Sequence, residues 1–131
     1  SGFILNKLEV LIMLSNTWLF KFKNKDLHVL RDGNGPWFAL NEIADMVGLS
    51  HELIGGKVLE YFMPEEFFEH GYRKKPMRCR ADGYAHSMRC VNVEGARLFF
   101  IRFPWRDSNE FLRWAQSAEL KNLYDSADSE E

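Results

Sequence analysis

Cationic side chains dominate the sequence between Gly71 and Arg106. Nine residues there are basic and two, Asp82 and Glu94, are acidic, so the segment carries +7 while the whole chain carries −2. The nine are Arg73, Lys74, Lys75, Arg78, Arg80, Arg89, Arg97, Arg102 and Arg106. Arginine donates paired hydrogen bonds to guanine edges and phosphate, whereas lysine acts as a point charge. The segment predicts a surface that binds polyanions, unless acidic residues elsewhere in the chain fold beside it and cancel its field.

Most of these cations lie on a predicted β-hairpin, "YRKKPMRCRADGYAHSMRCVNV", with its turn at Asp82-Gly83. Arg78 and Arg80 alternate and should share one face of the first strand, which Arg89 joins or not depending on register. Three further cations precede the strand and suit phosphate oxygens: Arg73, Lys74 and Lys75. Because a two-stranded ribbon fits the major groove of B-DNA, the hairpin is the predicted nucleic-acid site. The alternative is an ordinary exposed hairpin whose charges prevent edge-to-edge pairing.

A second candidate is "WFALNEIADMVGLSHELIGGKVLEYF", where Gly48 separates two helical patterns. A helix–turn–helix interpretation would place His51 and Lys57 against DNA. The other interpretation is that the stretch packs against the sheet and holds the hairpin in place, since its second helix offers no Arg, Asn or Gln to base edges. The pair Gly55-Gly56 should break or bend that helix, because each glycine costs about 1 kcal/mol relative to alanine.

Lys21, Lys23 and Lys25 form a smaller basic row, in which Lys21 and Lys23 alternate with Phe20 and Phe22 in a period-two pattern. Most such rows form the solvated face of a sheet; the alternative is that this row extends the track of phosphate contacts. The predicted nucleic-acid surface then comprises Arg73, Lys74, Lys75, Arg78, Arg80, Arg89, Lys57, His51, Lys21 and Lys23.

Metal-binding and catalytic patterns are weak. Cys79, His86 and Cys90 match none of the usual zinc spacings, and pairing about "ADGYAH" would bring the two thiols near each other. Glu66 and His70 are four residues apart and could meet on a helix, but no third group of a catalytic site accompanies them. We therefore expect a protein that is not an enzyme and takes no metal, cofactor or small-molecule substrate.

The elements that must position these residues indicate an α+β fold. Short strands are predicted in "WLFKF", "LHVLR" and "WFAL", with turns near residues 24–25 and at "DGNGP". Asn41 and Asn92 are predicted helix N-caps, and Asp107 with Glu110 has the spacing of a capping box. The sequence thus predicts a small antiparallel sheet with a basic β-hairpin, packed against three to four helices.

Three stretches, in order, resemble the BRO N-terminal (Bro-N) domain family. "PWFALNEIADMVGLS" resembles the family's Trp-Phe-x-x-x-Asp-Val-Ala-x-x-Leu-Gly-Tyr, with Asn41 or Glu42 in the place of the Asp. "VNVEGARLFFIR" is similar to a Gly-Leu-Tyr helix start, and "NEFLRWAQSAELKNL" to a final Phe-x-x-Trp helix. The family occurs in baculovirus repeated-ORF proteins, in other large DNA viruses and in phage antirepressors.

The resemblance implies a DNA-binding module of a viral or phage protein that regulates transcription, without catalytic residues, in the host nucleus or cytoplasm. Double-stranded DNA is the expected partner, and RNA stays open. The resemblance covers residues 18–124. Residues 1–17 then form an N-terminal extension whose opening Ser-Gly is typical of cloning residues, and residues 125–131 form an acidic, flexible tail.

The aromatic residues favour a different function, a protein-interaction or homodimerisation domain without direct DNA contact. They are concentrated in the predicted C-terminal helices: Phe99, Phe100, Phe103, Trp105, Phe111 and Trp114. Aromatic side chains are enriched at interfaces, and Trp105, in the turn between the helices, is expected to be exposed. Most of the others should fill a core. No apolar run approaches the roughly 20 residues that span a bilayer, so we expect a soluble intracellular protein.

Overall fold

The computed structural model describes residues 17–32, 35–78 and 84–117. Five strands lie within them: β1 (Thr17–Phe22), β2 (Lys25–Asp32), β3 (Gly35–Ala39), β4 (Tyr72–Arg78) and β5 (Ala85–Val91). Phe20 and Phe22 of β1, and Leu27 and Val29 of β2, follow the period-two alternation of a strand with one buried face. They form one antiparallel sheet in the order β1-β2-β3-β5-β4. The pair β4–β5 is the predicted basic hairpin and is called the ribbon.

Helices complete the described fold and confirm the predicted α+β class. The α-helices are α1 (Leu40–Val47), α2 (Gly56–Phe62), α3 (Val93–Arg102) and α4 (Ser108–Ala115). A 3₁₀ turn, His51–Ile54, precedes α2, and a π-helical turn, Phe67–Gly71, leads into β4. Among the described residues, no helix has the length and apolar character that crossing a membrane requires.

The β1–β2 turn sets the pairing of the first two strands. Lys23 and Asn24 have positive φ values of 49° and 66°, which a two-residue turn requires between twisted strands. Asn24 tolerates this region better than most residues do. The turn therefore lies one residue earlier than predicted, and Lys21 comes to lie opposite Asp26.

Glycines and one asparagine delimit the helices as predicted. Gly48 ends α1 in the left-handed region, with φ of 88°. Gly55 separates the 3₁₀ turn from α2, so the second helical pattern is broken. Asn92 caps α3, and its side-chain oxygen accepts a hydrogen bond from the Gly95 N–H at 2.8 Å. Gly48 is required by its left-handed backbone, and Asn92 satisfies a helix N–H that would otherwise be unpaired.

One predicted cap is at the wrong position, and another has the right position but makes no capping hydrogen bond. Because β3 runs directly into α1, Ala39 is the N-cap residue and Asn41 lies inside the first turn. Asp107 is the N-cap residue of α4, but its side chain makes no capping hydrogen bond. Instead it lies 3.7 Å from the Lys23 ammonium, which also binds Glu110 at 2.8 Å. An ion pair between distant elements has replaced the local capping box.

Glu42 closes the junction between β2 and α1. One carboxylate oxygen accepts a hydrogen bond from the His28 backbone N–H at 2.6 Å, and the other lies 2.9 Å from Nδ1 of the same residue. The pairing of β2 with β3 starts one residue after His28, where Val29 lies opposite Phe38. The chain leaves the sheet after Ala39, at the end of β3. The carboxylate therefore satisfies a backbone donor that β3 does not reach.

The main core lies between one face of the sheet and the helices. Both layers contribute buried side chains: Leu27, Val29, Phe38 and Val91 from strands, and Ile43, Leu59, Phe67, Phe99 and Phe111 from helical segments. The Phe111 ring centroid lies 5.3 Å from those of Phe22 and Phe38. Edge-to-face contacts of this kind add about 0.5–1.5 kcal/mol each to the energy of burial.

The aromatic side chains of α3, α4 and the turn between them pack on this core. Phe100 and Phe111 are buried. Trp105, which was predicted to be exposed, is half-buried against the core, with its ring centroid 5.6 Å from that of Phe100 and 6.1 Å from that of Phe22. By contrast, Ile101 of the same apolar helix is 65% exposed. The aromatic content of these helices therefore reflects core packing.

A smaller core lies on the opposite face, because the sheet curls. Its buried members are Leu30, Ala39, Met77 and Cys90. The two outer strands approach each other, and the Arg78 backbone N–H donates to the Thr17 hydroxyl oxygen at 3.4 Å. One face of the ribbon is thus folded against the sheet, so the ribbon does not project freely from it.

The register of the ribbon places Cys90 opposite Arg73, near the start of β4. The predicted approach of Cys79 to Cys90 stays a prediction, because Cys79 and the predicted turn residues lie outside the described residues. Met77 and Cys90 are both buried on the inner face, and a slip of one residue would turn one of them outward.

A close backbone contact joins the start of the ribbon to α3 at Gly71 and Gly95. A Cβ atom on Gly95 would lie 2.1 Å from the Gly71 carbonyl oxygen, and one on Gly71 would lie 2.5 Å from the Gly95 Cα. The same carbonyl accepts a hydrogen bond from the Asn92 N–H at 3.2 Å. Any side chain at either glycine would force the two backbones apart.

We expect Gly95→Ala to lower the free energy of unfolding by about 2–4 kcal/mol, because backbone atoms cannot yield to the new methyl group. Gly55→Ala is the matched control: the nearest atom to its Cβ would be the His51 carbonyl oxygen, at an ordinary contact distance of 3.7 Å, so stability should change by less than about 0.5–1 kcal/mol. Urea unfolding midpoints measure both. Equal losses in the two variants would contradict the contact.

Cys90 should react with alkylating reagents only when the protein unfolds. The side chain is fully buried, and burial raises the pKa of its thiol to about 12, so the reactive thiolate is not formed at neutral pH. In a Cys79→Ser variant, we expect iodoacetamide to label Cys90 in denaturant and to leave it unmodified in native buffer, as read by mass spectrometry. Comparable labelling in both conditions would contradict its place in the small core.

Candidate nucleic-acid interface

The pleat of the ribbon decides which of its cations share a face. Lys74 pairs with Arg89, and Arg78 lies four residues further along β4. Directly paired residues, and residues separated by an even number of positions on one strand, share a face. Lys74, Arg78 and Arg89 therefore lie on the outer face. Arg73 and Lys75 alternate with them and belong to the inner face.

The strand also begins earlier than predicted. Arg73, Lys74 and Lys75 lie within β4 and not before it, because Tyr72 already pairs with Val91. Three consecutive cations inside a strand cannot act as one cluster, since the middle one points away from its neighbours.

Lys75 is bound by the sheet beneath the ribbon. Its ammonium lies 2.5 Å from a carboxylate oxygen of Asp32 and 4.8 Å from the ring centroid of Trp37. The Lys75 side chain is only 21% exposed. An ion pair and a cation–π contact of this kind hold the ribbon against β2 and β3.

Arg73 binds the backbone and no carboxylate of the described residues. Its guanidinium donates to the carbonyl oxygens of Phe68 at 2.9 Å, Tyr72 at 2.6 Å and Glu69 at 2.7 Å. These carbonyls belong to the π-helical turn and the first residue of β4. The side chain therefore fixes the entry of the chain into the ribbon.

The outer cations remain available to a ligand. Lys74 and Arg78 are exposed and Arg89 is half-buried. Within the described residues, none of the three forms an ion pair at 4.0 Å or less. Arg80, which was predicted to lie beside Arg78, falls outside the described residues.

A groove adjoins the base of the outer face. It has a volume of about 330 Å³ and runs between α2 and the ribbon. Its charged and aromatic lining residues are Lys57, Glu60, Phe68, Tyr72, Lys74 and Arg89. Burial raises the pKa of the Tyr72 hydroxyl, and the neighbouring Arg89 guanidinium opposes that rise. The groove thus joins Lys57, predicted from a different part of the sequence, to two cations of the ribbon.

The other predicted residues are paired elsewhere. Lys21 binds Asp26, its cross-strand neighbour, at 2.8 Å. Lys23 binds the carboxylates at the start of α4. His51 lies 2.6 Å from Asp45. Neither lysine lies on the outer face of the ribbon, and nearby carboxylates neutralise the charges of both side chains.

Tyr72 and Phe68 are groove residues that the sequence reasoning missed. Tyr72 stands two positions before Lys74, so a longer predicted strand would have put both on one face. Glu66 and His70 do not pair in the structure; His70 lies 3.7 Å from Glu69. In residues 17–32, 35–78 and 84–117, no three or more His, Cys, Asp or Glu side chains are grouped to hold a metal ion.

Alanine substitutions should separate the two faces of the ribbon. We expect Lys75→Ala to lower the unfolding free energy by about 1–2 kcal/mol, because it removes the contacts with Asp32 and Trp37. Lys74→Ala, one residue away and exposed, should change it by less than about 0.5 kcal/mol. Thermal and urea unfolding provide the measurement. A larger loss from Lys74→Ala would mean that the assigned faces are reversed.

No family model, no curated protein and no solved structure matches this chain. The resemblance to the Bro-N domain therefore stays a prediction that rests on three sequence stretches. The charges on the ribbon and the groove beside it are the features of this chain that bear on its function.

Proposed function

We propose that this chain is a nucleic-acid-binding module that contacts the phosphates of double-stranded DNA through the outer face of the ribbon. The observation that carries the proposal is the grouping of Lys74, Arg78 and Arg89 on one face, without an ion pair to any described residue. Unpaired cations on a shared surface attract phosphate and release its counterions. Lys57 of α2 adds a fourth positive charge at the base of this face.

The spacing of these charges suits a duplex. Lys74 and Arg78 are four strand residues apart, about 13 Å at roughly 3.3 Å per residue. The major groove of B-DNA is about 12 Å wide. Cations at the two ends of the strand can therefore contact phosphates on both sides of that groove. The major groove of RNA helices is too deep and narrow for side chains to read, which favours DNA.

Recognition of sequence should be weak. Between Lys74 and Arg78 the outer face carries Pro76, with Ser87 opposite it, and neither matches the side chains that read bases by paired hydrogen bonds. Phosphate contacts set position and affinity without reading sequence. We further propose, from the resemblance to the Bro-N domain, that the module belongs to a viral or phage regulatory protein.

We expect duplex DNA to bind with a steep salt dependence. Four phosphate contacts correspond to a log–log slope of about −3.6, or roughly a hundredfold loss of affinity for a fourfold rise in salt. Arg78→Met should weaken binding and bring the slope closer to zero by about one. Fluorescence anisotropy with a labelled duplex at several salt concentrations measures both quantities.

Arg97→Met is the matched control for that experiment. It removes the same charge, but Arg97 lies on α3 and is bound by both carboxylate oxygens of Glu94. Its slope should equal that of the unmodified protein. No binding at low salt, or equal effects of the two substitutions, would refute the proposed interface.

A further inference from the structure

The groove between α2 and the ribbon has the features of a built site for a single anionic group. Three separate elements supply its cations: Lys57 from α2, Lys74 from β4 and Arg89 from β5. Only the tertiary fold brings these three elements to the same groove. In a concave site, side chains can contact one anionic group from several directions.

The net charge of the groove lining predicts how much negative charge the bound group carries. Three cations oppose one carboxylate, Glu60, so the lining carries a net charge of +2. A phosphomonoester carries about −1.5 to −2 at neutral pH, which matches this value. A longer polyphosphate would carry more negative charge than the lining can neutralise, and Glu60 would repel the excess.

The walls of the groove suit the remainder of a nucleotide. Phe68 and Tyr72 meet edge to face, with ring centroids 5.5 Å apart and ring planes inclined at 69°, and both are half-buried. Aromatic faces stack with bases irrespective of sequence. A volume of about 330 Å³ lies at the lower end of the range of small-ligand pockets, roughly 300–1,000 Å³.

We propose that this groove binds one nucleotide unit, with its phosphate on Lys57, Lys74 and Arg89 and its sugar or base against Phe68 and Tyr72. This inference rests on the proposed function, in which the groove anchors one phosphate at the base of the ribbon. Free nucleotides and nucleic acid share this chemistry. The two sources are distinguished by testing a mononucleotide and a duplex on the same protein.

Thymidine 5′-monophosphate and thymidine differ only in the phosphate group and make a matched pair of probes. We expect the monophosphate to shift the backbone amide resonances of Gly56, Tyr72 and Arg89 in a saturable manner, as followed by ¹H–¹⁵N NMR. Thymidine at the same concentrations should shift them at least tenfold less. Equal shifts from both probes, or no saturable shift from the monophosphate, would overturn the proposed site.

Substitutions identify the cations that hold the phosphate. Arg89→Met should weaken binding of the monophosphate at least tenfold, and Lys57→Met should do the same without altering the strand pairing, because Lys57 is exposed on α2. Arg97→Met should leave the affinity unchanged. If Arg89→Met does not fold, Lys57→Met tests the site by itself. An unaltered affinity of that variant for the monophosphate would refute the site.

The outcomes for the two ligands separate the two proposals. Binding of duplex DNA without binding of the monophosphate would refute the nucleotide groove and leave the ribbon interface standing. Binding of the monophosphate without the duplex would refute the DNA-binding function and identify a free nucleotide as the ligand.

Discussion

The pairing register of β4 with β5 is the constraint on which the rest of this structure depends. Met77 and Cys90 are buried in the small core inside the curled sheet, and their burial determines which face of the ribbon points inward. Alternation then sends Lys74, Arg78 and Arg89 outward. Apolar packing on one face of the ribbon has therefore placed on the other face three cations that form no ion pair with any described residue.

The inward cations hold the ribbon in this position. Lys75 joins it to β2 through Asp32, and Arg73 joins its first residue to the preceding turn through three carbonyl oxygens. The contact of Gly71 with Gly95 brings the same point against α3. Basic residues that are adjacent in sequence thus have two different roles: some attach the ribbon, and others are presented to a ligand.

The acidic remainder of the chain cancels only part of the basic charge. Carboxylates lie next to Lys21, Lys23, Lys75 and Arg97. The outer face of the ribbon and the groove beside it keep an excess of positive charge, with Glu60 as the acidic residue that lines the groove. A chain with a net charge of −2 can in this way keep a local field that attracts phosphate, because the field depends on where the charges lie.

The sequence by itself determined the α+β class, the basic hairpin, the glycine break before α2 and the Asn92 cap, since periodicity, turn chemistry and capping act over a few neighbouring residues. It also confined the candidate binding residues to a short set. Only the tertiary structure decided that Lys75 binds Asp32 while Lys74 is exposed, that Asp107 pairs with Lys23, and that Lys57 and Arg89 line the same groove. Strand register, sheet curvature and ion pairs between distant elements make these choices, and they depend on contacts between residues far apart in the chain.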